Sequence, residues 1–235
     1  MNASLFALTC TAAAIGFIHT IAGPDHYLPF AALASARKWS PFKTLRITLL
    51  CGLGHVLSSV VLGLIGLVAG VALKKLVHIE GFRGDVAAWL LTAFGVVYFV
   101  WGMVQAFRNR KHVHAHEHAN GTCHAHLHNH QGEHMHPHTS SAKSMTPWAL
   151  FVIFVFGPCE PLIPLLMYPA VNEAWWGVGV VALVFGAVTL ATMCAMVMVV
   201  LFGFKSLKAR GLSRFSHAAA GGAVLACGVA VLCGL

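Results

Sequence analysis

Six long apolar stretches constrain the fold of this chain more than any other feature of the sequence. A helix needs about 20 mostly apolar residues to cross a bilayer. The 235 residues are 58% hydrophobic and only 9% charged, a balance typical of integral membrane proteins and not of soluble domains. The sequence therefore predicts an all-α integral membrane protein with six transmembrane helices, at roughly 3–36, 47–73, 86–107, 147–170, 177–204 and 217–235.

The distribution of basic residues predicts the orientation of the chain. The loops after the first, third and fifth stretches hold 12 of the 15 Lys and Arg residues. Basic loops stay in the cytoplasm, so both termini are predicted outside, in a bacterial inner (plasma) membrane. The basic residues of the predicted cytoplasmic loops then account for the net charge of +8, and no nucleic-acid partner is expected. The N-terminus has no basic region ahead of its apolar stretch, so a cleaved signal peptide is not expected.

An internal repeat divides the chain in two. GPDHYLP at residues 23–29 resembles GPCEPLIP at residues 157–164, and each opens a group of three apolar stretches. Proline interrupts a helix, so the first and fourth helices are predicted to be broken. Three spans reverse the orientation of the copy that follows, which predicts two inverted three-helix repeats. The expected parts are 1–110 (first repeat), 111–145 (a His-rich cytoplasmic loop, predicted to be disordered) and 146–235 (second repeat).

Ionisable side chains at bilayer depth mark the candidate site. Such residues are costly in a membrane and usually face a cavity. Imidazole, carboxylate and thiol together suit late first-row divalent metals better than Ca²⁺ or Mg²⁺. The predicted metal ligands are His19, Asp25, His26, His55, Cys159 and Glu160. Three of them also have a structural interpretation: Asp25 as a helix cap, His55 as a hydrogen-bonded packing residue, and Cys159 as a small core side chain.

An accessory metal-binding loop is predicted between the two repeats. Alternating His-x-His is a compositional sign of transition-metal binding, and a segment without hydrophobic bulk is expected to be disordered until metal binds. Residues 112–138 contain eleven histidines: His112, His114, His116, His118, His124, His126, His128, His130, His134, His136 and His138.

On His19, Asp25-His26 and Gly54-His55, the chain resembles the nickel/cobalt transporter families, which include permeases, six-span efflux proteins with His-rich loops, and urease-accessory-like transmembrane proteins. The permeases carry a similar His…Asp-His signature on an early helix and a Gly-His motif on the next. The resemblance implies transport of a divalent transition metal, nickel or cobalt with zinc as a third candidate, through a mid-membrane site. It implies no catalytic residues and no organic cofactor. The expected partners are the bilayer, the metal ion and a cytoplasmic metallochaperone.

A second resemblance supplies an alternative. The GPCEPLIP element also looks like the Pro-Cys…Pro element of membrane thiol-disulfide electron carriers related to cytochrome c biogenesis proteins. Those carriers use one intramembrane cysteine in each half, whereas the matching position of the first repeat here is Asp25. A lone Cys159 lacks a resolving partner at that position, which weighs against dithiol chemistry. A membrane protein that stores or senses metal is a further alternative.

Overall fold

The computed structural model describes residues 3–108, 112–117, 123–128, 145–159, 161–171, 175–206 and 213–234. Eight α-helices make up most of this part of the chain: α1 (Ala3–Ala22), α2 (Leu28–Ala36), α3 (Pro41–Val68), α4 (Leu73–Arg108), α5 (Thr146–Phe156), α6 (Leu162–Val171), α7 (Trp175–Ser206) and α8 (Ser216–Leu232).

Four of these helices, α1, α3, α4 and α7, are long and apolar enough to cross a membrane. Two further helices, α5 and α8, are apolar but shorter. Between 22% and 39% of the apolar window in each long helix is buried inside the bundle, so most of their apolar surface is left for lipid. The prediction of an all-α integral membrane protein in contact with the bilayer is confirmed.

Both predicted helix breaks are present. The first break, residues 23–27, lies between α1 and α2 and contains a short 3-10 turn, Pro24–His26. The second break begins at residue 157, where α5 has ended, and α6 starts at Leu162. Each break starts with Gly-Pro, and proline offers no backbone N–H to continue the helix that precedes it.

The short helix α2, which directly follows the first break, lies in the interior of the bundle. Seven of its nine residues are buried, among them Phe30 and Leu33, and it packs against α7 and α8. A helix that is apolar on every face is stable only when it is surrounded. The first break is therefore held among other helices and not at the lipid surface.

The third apolar stretch belongs to a longer helix than the sequence predicted. We expected a span from residue 86, with Lys74, Lys75 and Arg83 in the preceding loop, but α4 begins at Leu73 and includes all three. No proline interrupts residues 73–85, and Leu73, Leu76 and Val77 recur at helical spacing. Charged residues ended the apolar run in the sequence without ending the helix.

Glycines allow α4 and α8 to approach closely. Among the described elements this pair makes the most extensive contact. Gly95 and Gly102 on α4 face the backbone of α8, and Gly221 and Gly228 on α8 face α4. The two pairs share a seven-residue spacing, so each lies on one face of its helix. Small residues at such positions bring helices together in membranes.

Two short strands in the histidine-rich segment form a hairpin. Strands β1 (His112–Glu117) and β2 (Cys123–His128) pair antiparallel, with His112 opposite His128, His114 opposite His126 and His116 opposite His124. The strict His-x-His alternation has the two-residue period of a strand, which explains the pairing. Residues 118–122 and 129–144 lie outside the described residues.

Candidate functional site

Three histidines from three elements of the first half meet inside the bundle. The His26 ring lies 4.8 Å from the His19 ring and 5.2 Å from the His55 ring, measured between ring centroids. One ligand nitrogen from each residue can be chosen so that all three lie within 4.8 Å of one another. His19 comes from α1, His26 from the first break and His55 from α3. We call these three residues the histidine cluster.

The first break orients His26. Its Nδ1 lies 3.1 Å from Asp25 Oδ1 and 3.2 Å from the carbonyl oxygen of Gly23. Both neighbours are acceptors, so Nδ1 must carry the proton to bond either of them. That tautomer leaves the lone pair of the neutral ring on Nε2. Asp25 therefore fixes the tautomer of His26, which keeps Nε2 available as a ligand atom.

A side chain at Gly23 or Gly157 would crowd one of the imidazoles. A Cβ atom at Gly23 would lie 2.6 Å from His26 Nδ1 and 2.8 Å from Asp25 Oδ1. A Cβ atom at Gly157 would lie 3.0 Å from His55 Nδ1. The glycine that opens each break thus leaves room for a member of the cluster.

A cavity of about 390 Å³ adjoins the histidine cluster. Its walls include all three histidines and Asp25, together with small residues of α4 and the start of the second break, namely Gly84, Ala87, Gly157 and Pro158. Both breaks therefore border one cavity, with polar groups from the first and mainly apolar groups from the second.

Side chains of α3 and α4 complete the hydrogen bonds of the second break. In a continuous helix the N–H of residue 159 would donate to the carbonyl of Val155. Here the Cys159 N–H donates to Ser59 Oγ at 3.1 Å, and Arg83 Nη2 donates to the Val155 carbonyl at 2.9 Å. Arg83 also donates to Glu80 Oε1 and to Ser58 Oγ, both at 2.7 Å. The break is thus held in place by α3 and α4.

The predicted ligands separate into two groups. The structure brings together His19, Asp25, His26 and His55. The Cys159 side chain is fully buried in an apolar cluster that includes Leu162 and Phe185, and the structure does not bring it to the histidines. Glu160 lies outside the described residues, as do the side chains of the loop histidines.

Glu80, Arg83 and Ser59 are site-supporting residues that the sequence reasoning missed. Glu80 is fully buried although it lies in a stretch we assigned to a loop. The spacing of Glu80 and Arg83 could have predicted their ion pair, since Glu and Arg three residues apart share a helix face. Ser59 had no signal, because a serine in a membrane helix bonds its own backbone as readily as a neighbour.

Comparison with known proteins identifies a family for this chain. The family described as "Cytochrome C biogenesis protein transmembrane region" matches residues 5–230, which is nearly the whole sequence. No curated protein and no solved structure matches the chain.

This match corrects our assignment to the nickel/cobalt transporter families and the transport of nickel or cobalt that it implied. That resemblance depended on a few residues of α1, the first break and α3, whereas the family match spans both halves of the chain. A short motif of histidine and aspartate can arise on unrelated membrane scaffolds, so the longer match decides. It supports the alternative that we drew from the GPCEPLIP element.

Proposed function

Because the chain belongs to the family of cytochrome c biogenesis transmembrane regions, we propose that it is a membrane carrier of thiol reducing equivalents with Cys159 as its redox thiol. The observation that carries the proposal is the family match over residues 5–230 together with a cysteine directly after the Gly-Pro of the second break.

We also propose that six spans form two inverted three-helix repeats, with both termini outside. The order of elements supports the repeat, since each half has one helix on either side of a Gly-Pro break, followed by two further helices. Paired interrupted helices at matching positions are typical of inverted-repeat membrane proteins. The two breaks would then be the symmetry-related parts of the carrier.

The chemistry requires partner thiols, because the first break has Asp25 where a second cysteine would be needed. The Cys159 thiolate attacks a disulfide of an acceptor protein, forming a mixed disulfide and releasing one acceptor thiol. A donor dithiol then attacks the Cys159 sulfur and releases the second acceptor thiol. The other donor thiol finally displaces Cys159, so two electrons pass from donor dithiol to acceptor disulfide.

The burial of Cys159 means that exchange requires the second break to open. Its side chain has no exposed surface, and a thiolate reacts only when a partner sulfur can approach it in line. The bonds from Ser59 and Arg83 are made to backbone groups of this break, so they hold it closed. A buried thiol is protected from adventitious oxidation until a partner displaces these contacts.

Differential alkylation in cells tests the proposal. Cells are quenched with acid before and after a short diamide pulse, and the reduced and oxidised fractions of Cys159 and Cys51 are measured by mass spectrometry. Both thiols are buried, so Cys51 on α3 is a matched control. We expect Cys159 to form a reversible mixed disulfide with another protein while Cys51 stays reduced. A Cys159 that remains reduced under both conditions would overturn the proposed function.

A further inference from the structure

We propose that His19, His26 and His55 form a resident binding site for a divalent late first-row transition-metal ion. The site is separate from the thiol chemistry of Cys159 and does not depend on it, because Cys159 packs in a different cluster. The juxtaposition of three imidazoles beside one cavity carries the proposal.

The spacing of the imidazoles is close to a coordination shell. Zn–N bonds of about 2.0–2.1 Å in a tetrahedral site place ligand nitrogens roughly 3.3 Å apart. The ligand nitrogens here lie within 4.8 Å of one another, so modest ring rotations bring them into range. Three histidines leave a fourth position open, and the adjoining cavity has room for a water molecule there.

The surroundings of His26 match those of a metal ligand. A ligating histidine typically donates its other ring N–H to a carboxylate or a backbone carbonyl, which fixes the tautomer and raises the basicity of the ligand nitrogen. His26 Nδ1 has both kinds of acceptor, Asp25 Oδ1 and the Gly23 carbonyl. The ring therefore keeps an unshared lone pair on Nε2, and one ring nitrogen of His26 lies within 4.8 Å of a ring nitrogen of each of the other two histidines.

The cluster contains polar atoms whose burial is otherwise unexplained. Within the described part of the chain, the buried Nε2 atoms of His19, His26 and His55 have no hydrogen-bond partner. His26 and His55 are more than nine-tenths buried. Histidines that served only for packing would be expected to satisfy these atoms, since buried polar groups nearly always find a partner. One metal ion would satisfy all three.

The donor set indicates the class of metal. Neutral imidazole binds Zn²⁺, Cu²⁺ and Ni²⁺ well, whereas Ca²⁺ and Mg²⁺ prefer oxygen ligands. In the part of the chain that the structure describes, no cysteine joins the cluster, so a thiolate-rich site is not indicated. Zn²⁺ is the probe of choice because it adopts a three-histidine, open-position geometry without redox chemistry.

The proposed metal site is tested by measuring how much zinc the protein retains after a chelator wash. Purified full-length protein in detergent is loaded with Zn²⁺, washed with EDTA, and its zinc per chain is measured by mass spectrometry. We expect the wild type to retain one more equivalent than His26→Ala or His55→Gln, whatever the histidine-rich segment holds. His78→Ala is the matched control, since His78 is an exposed histidine of α4 and should leave retention unchanged. Equal retention in all four proteins would overturn the site.

Two further measurements keep the proposal falsifiable if a cluster variant fails to fold. X-ray absorption of the resistant zinc in the wild type should show nitrogen neighbours at about 2.0–2.1 Å and no sulfur. A sulfur shell, or no resistant zinc at all, would contradict the site. Cys159→Ser should keep the zinc equivalent while losing thiol exchange, so failure of the metal site and failure of the carrier function can be told apart.

Discussion

The backbone N–H of Cys159 is held by the side-chain hydroxyl of Ser59 at 3.1 Å, a contact between residues one hundred positions apart in the sequence. Ser59 lies one helical turn beyond His55 on α3. The same helix therefore supports the histidine cluster on one turn and the second break on the next.

Removing the Ser59 hydroxyl should expose Cys159 to reagents. Ser59→Ala leaves the buried Cys159 N–H without its acceptor, at a cost of about 1–3 kcal/mol to the closed conformation. Since about 1.4 kcal/mol corresponds to tenfold in population, maleimide labelling of Cys159 should accelerate roughly five- to 140-fold. Thr11→Ala is the control, because Thr11 bonds only its own helix at an exposed position and should not alter the rate.

Replacing Arg83 should destabilise the protein. Arg83→Met removes the ion pair that Arg83 makes with the buried Glu80 carboxylate, and breaking a buried ion pair by removing one member typically costs about 3–5 kcal/mol. For a chain of this size that loss corresponds to a fall in Tm of roughly 6–20 °C. Thermal unfolding in detergent is the measurement, with Asp85→Asn at an exposed site of α4 as control.

The double variant separates charge from packing in the same region. Combining Glu80→Gln with Arg83→Met removes the buried carboxylate charge together with the guanidinium that paired with it, so it should recover part of the lost Tm. A double variant less stable than Arg83→Met alone would contradict the role we assign to the pair.

Two adjacent glycines of α8 should respond differently to alanine. A Cβ atom at Gly221 would clash with the Phe99 backbone, whereas at Gly222 it would make ordinary contacts of 3.7 Å with the Phe99 ring. Gly221→Ala should therefore lose about 1–3 kcal/mol from overpacking. Gly222→Ala should be neutral or stabilising, because alanine favours a helix by about 1 kcal/mol over glycine. Equal Tm values for the two variants would argue against the close α4–α8 contact.

A substitution at the first break should weaken metal binding without removing any ligand. In Gly23→Ala the new methyl group would collide with His26 Nδ1 and Asp25 Oδ1, so the ring must turn away from the cluster. We expect most of the chelator-resistant zinc equivalent to be lost. Gly81→Ala, where the added Cβ meets open space among the described residues, should keep it.

Much of the membrane architecture could be predicted from the sequence, because its causes are local. Gly-Pro at residues 23–24 and 157–158 interrupts two of the apolar runs, and the structure has both breaks. The meeting of His19, His26 and His55 could also be anticipated, since buried imidazoles are costly unless they share an environment. These inferences need only residue type and spacing.

The hydrogen bond from Arg83 to the Val155 carbonyl and the position of Cys159 depend on contacts between distant segments, which the sequence did not indicate. A charged stretch before an apolar run is usually a loop, and only the packing of α4 against α5 shows that Arg83 reaches the Val155 carbonyl. The family assignment failed for a related reason. We gave more weight to a short histidine motif than to the GPCEPLIP element, because Asp25 stands where a second cysteine was expected.

Electron transfer across a sealed bilayer tests the carrier function most directly. The purified protein is reconstituted into liposomes with reduced glutathione inside and an impermeant aromatic disulfide outside, and release of the coloured thiolate is followed with time. We predict release by the wild type and by Cys51→Ser, and only the protein-free background rate from Cys159→Ser. A Cys159→Ser protein as fast as the wild type would contradict the assignment of Cys159 as the redox thiol.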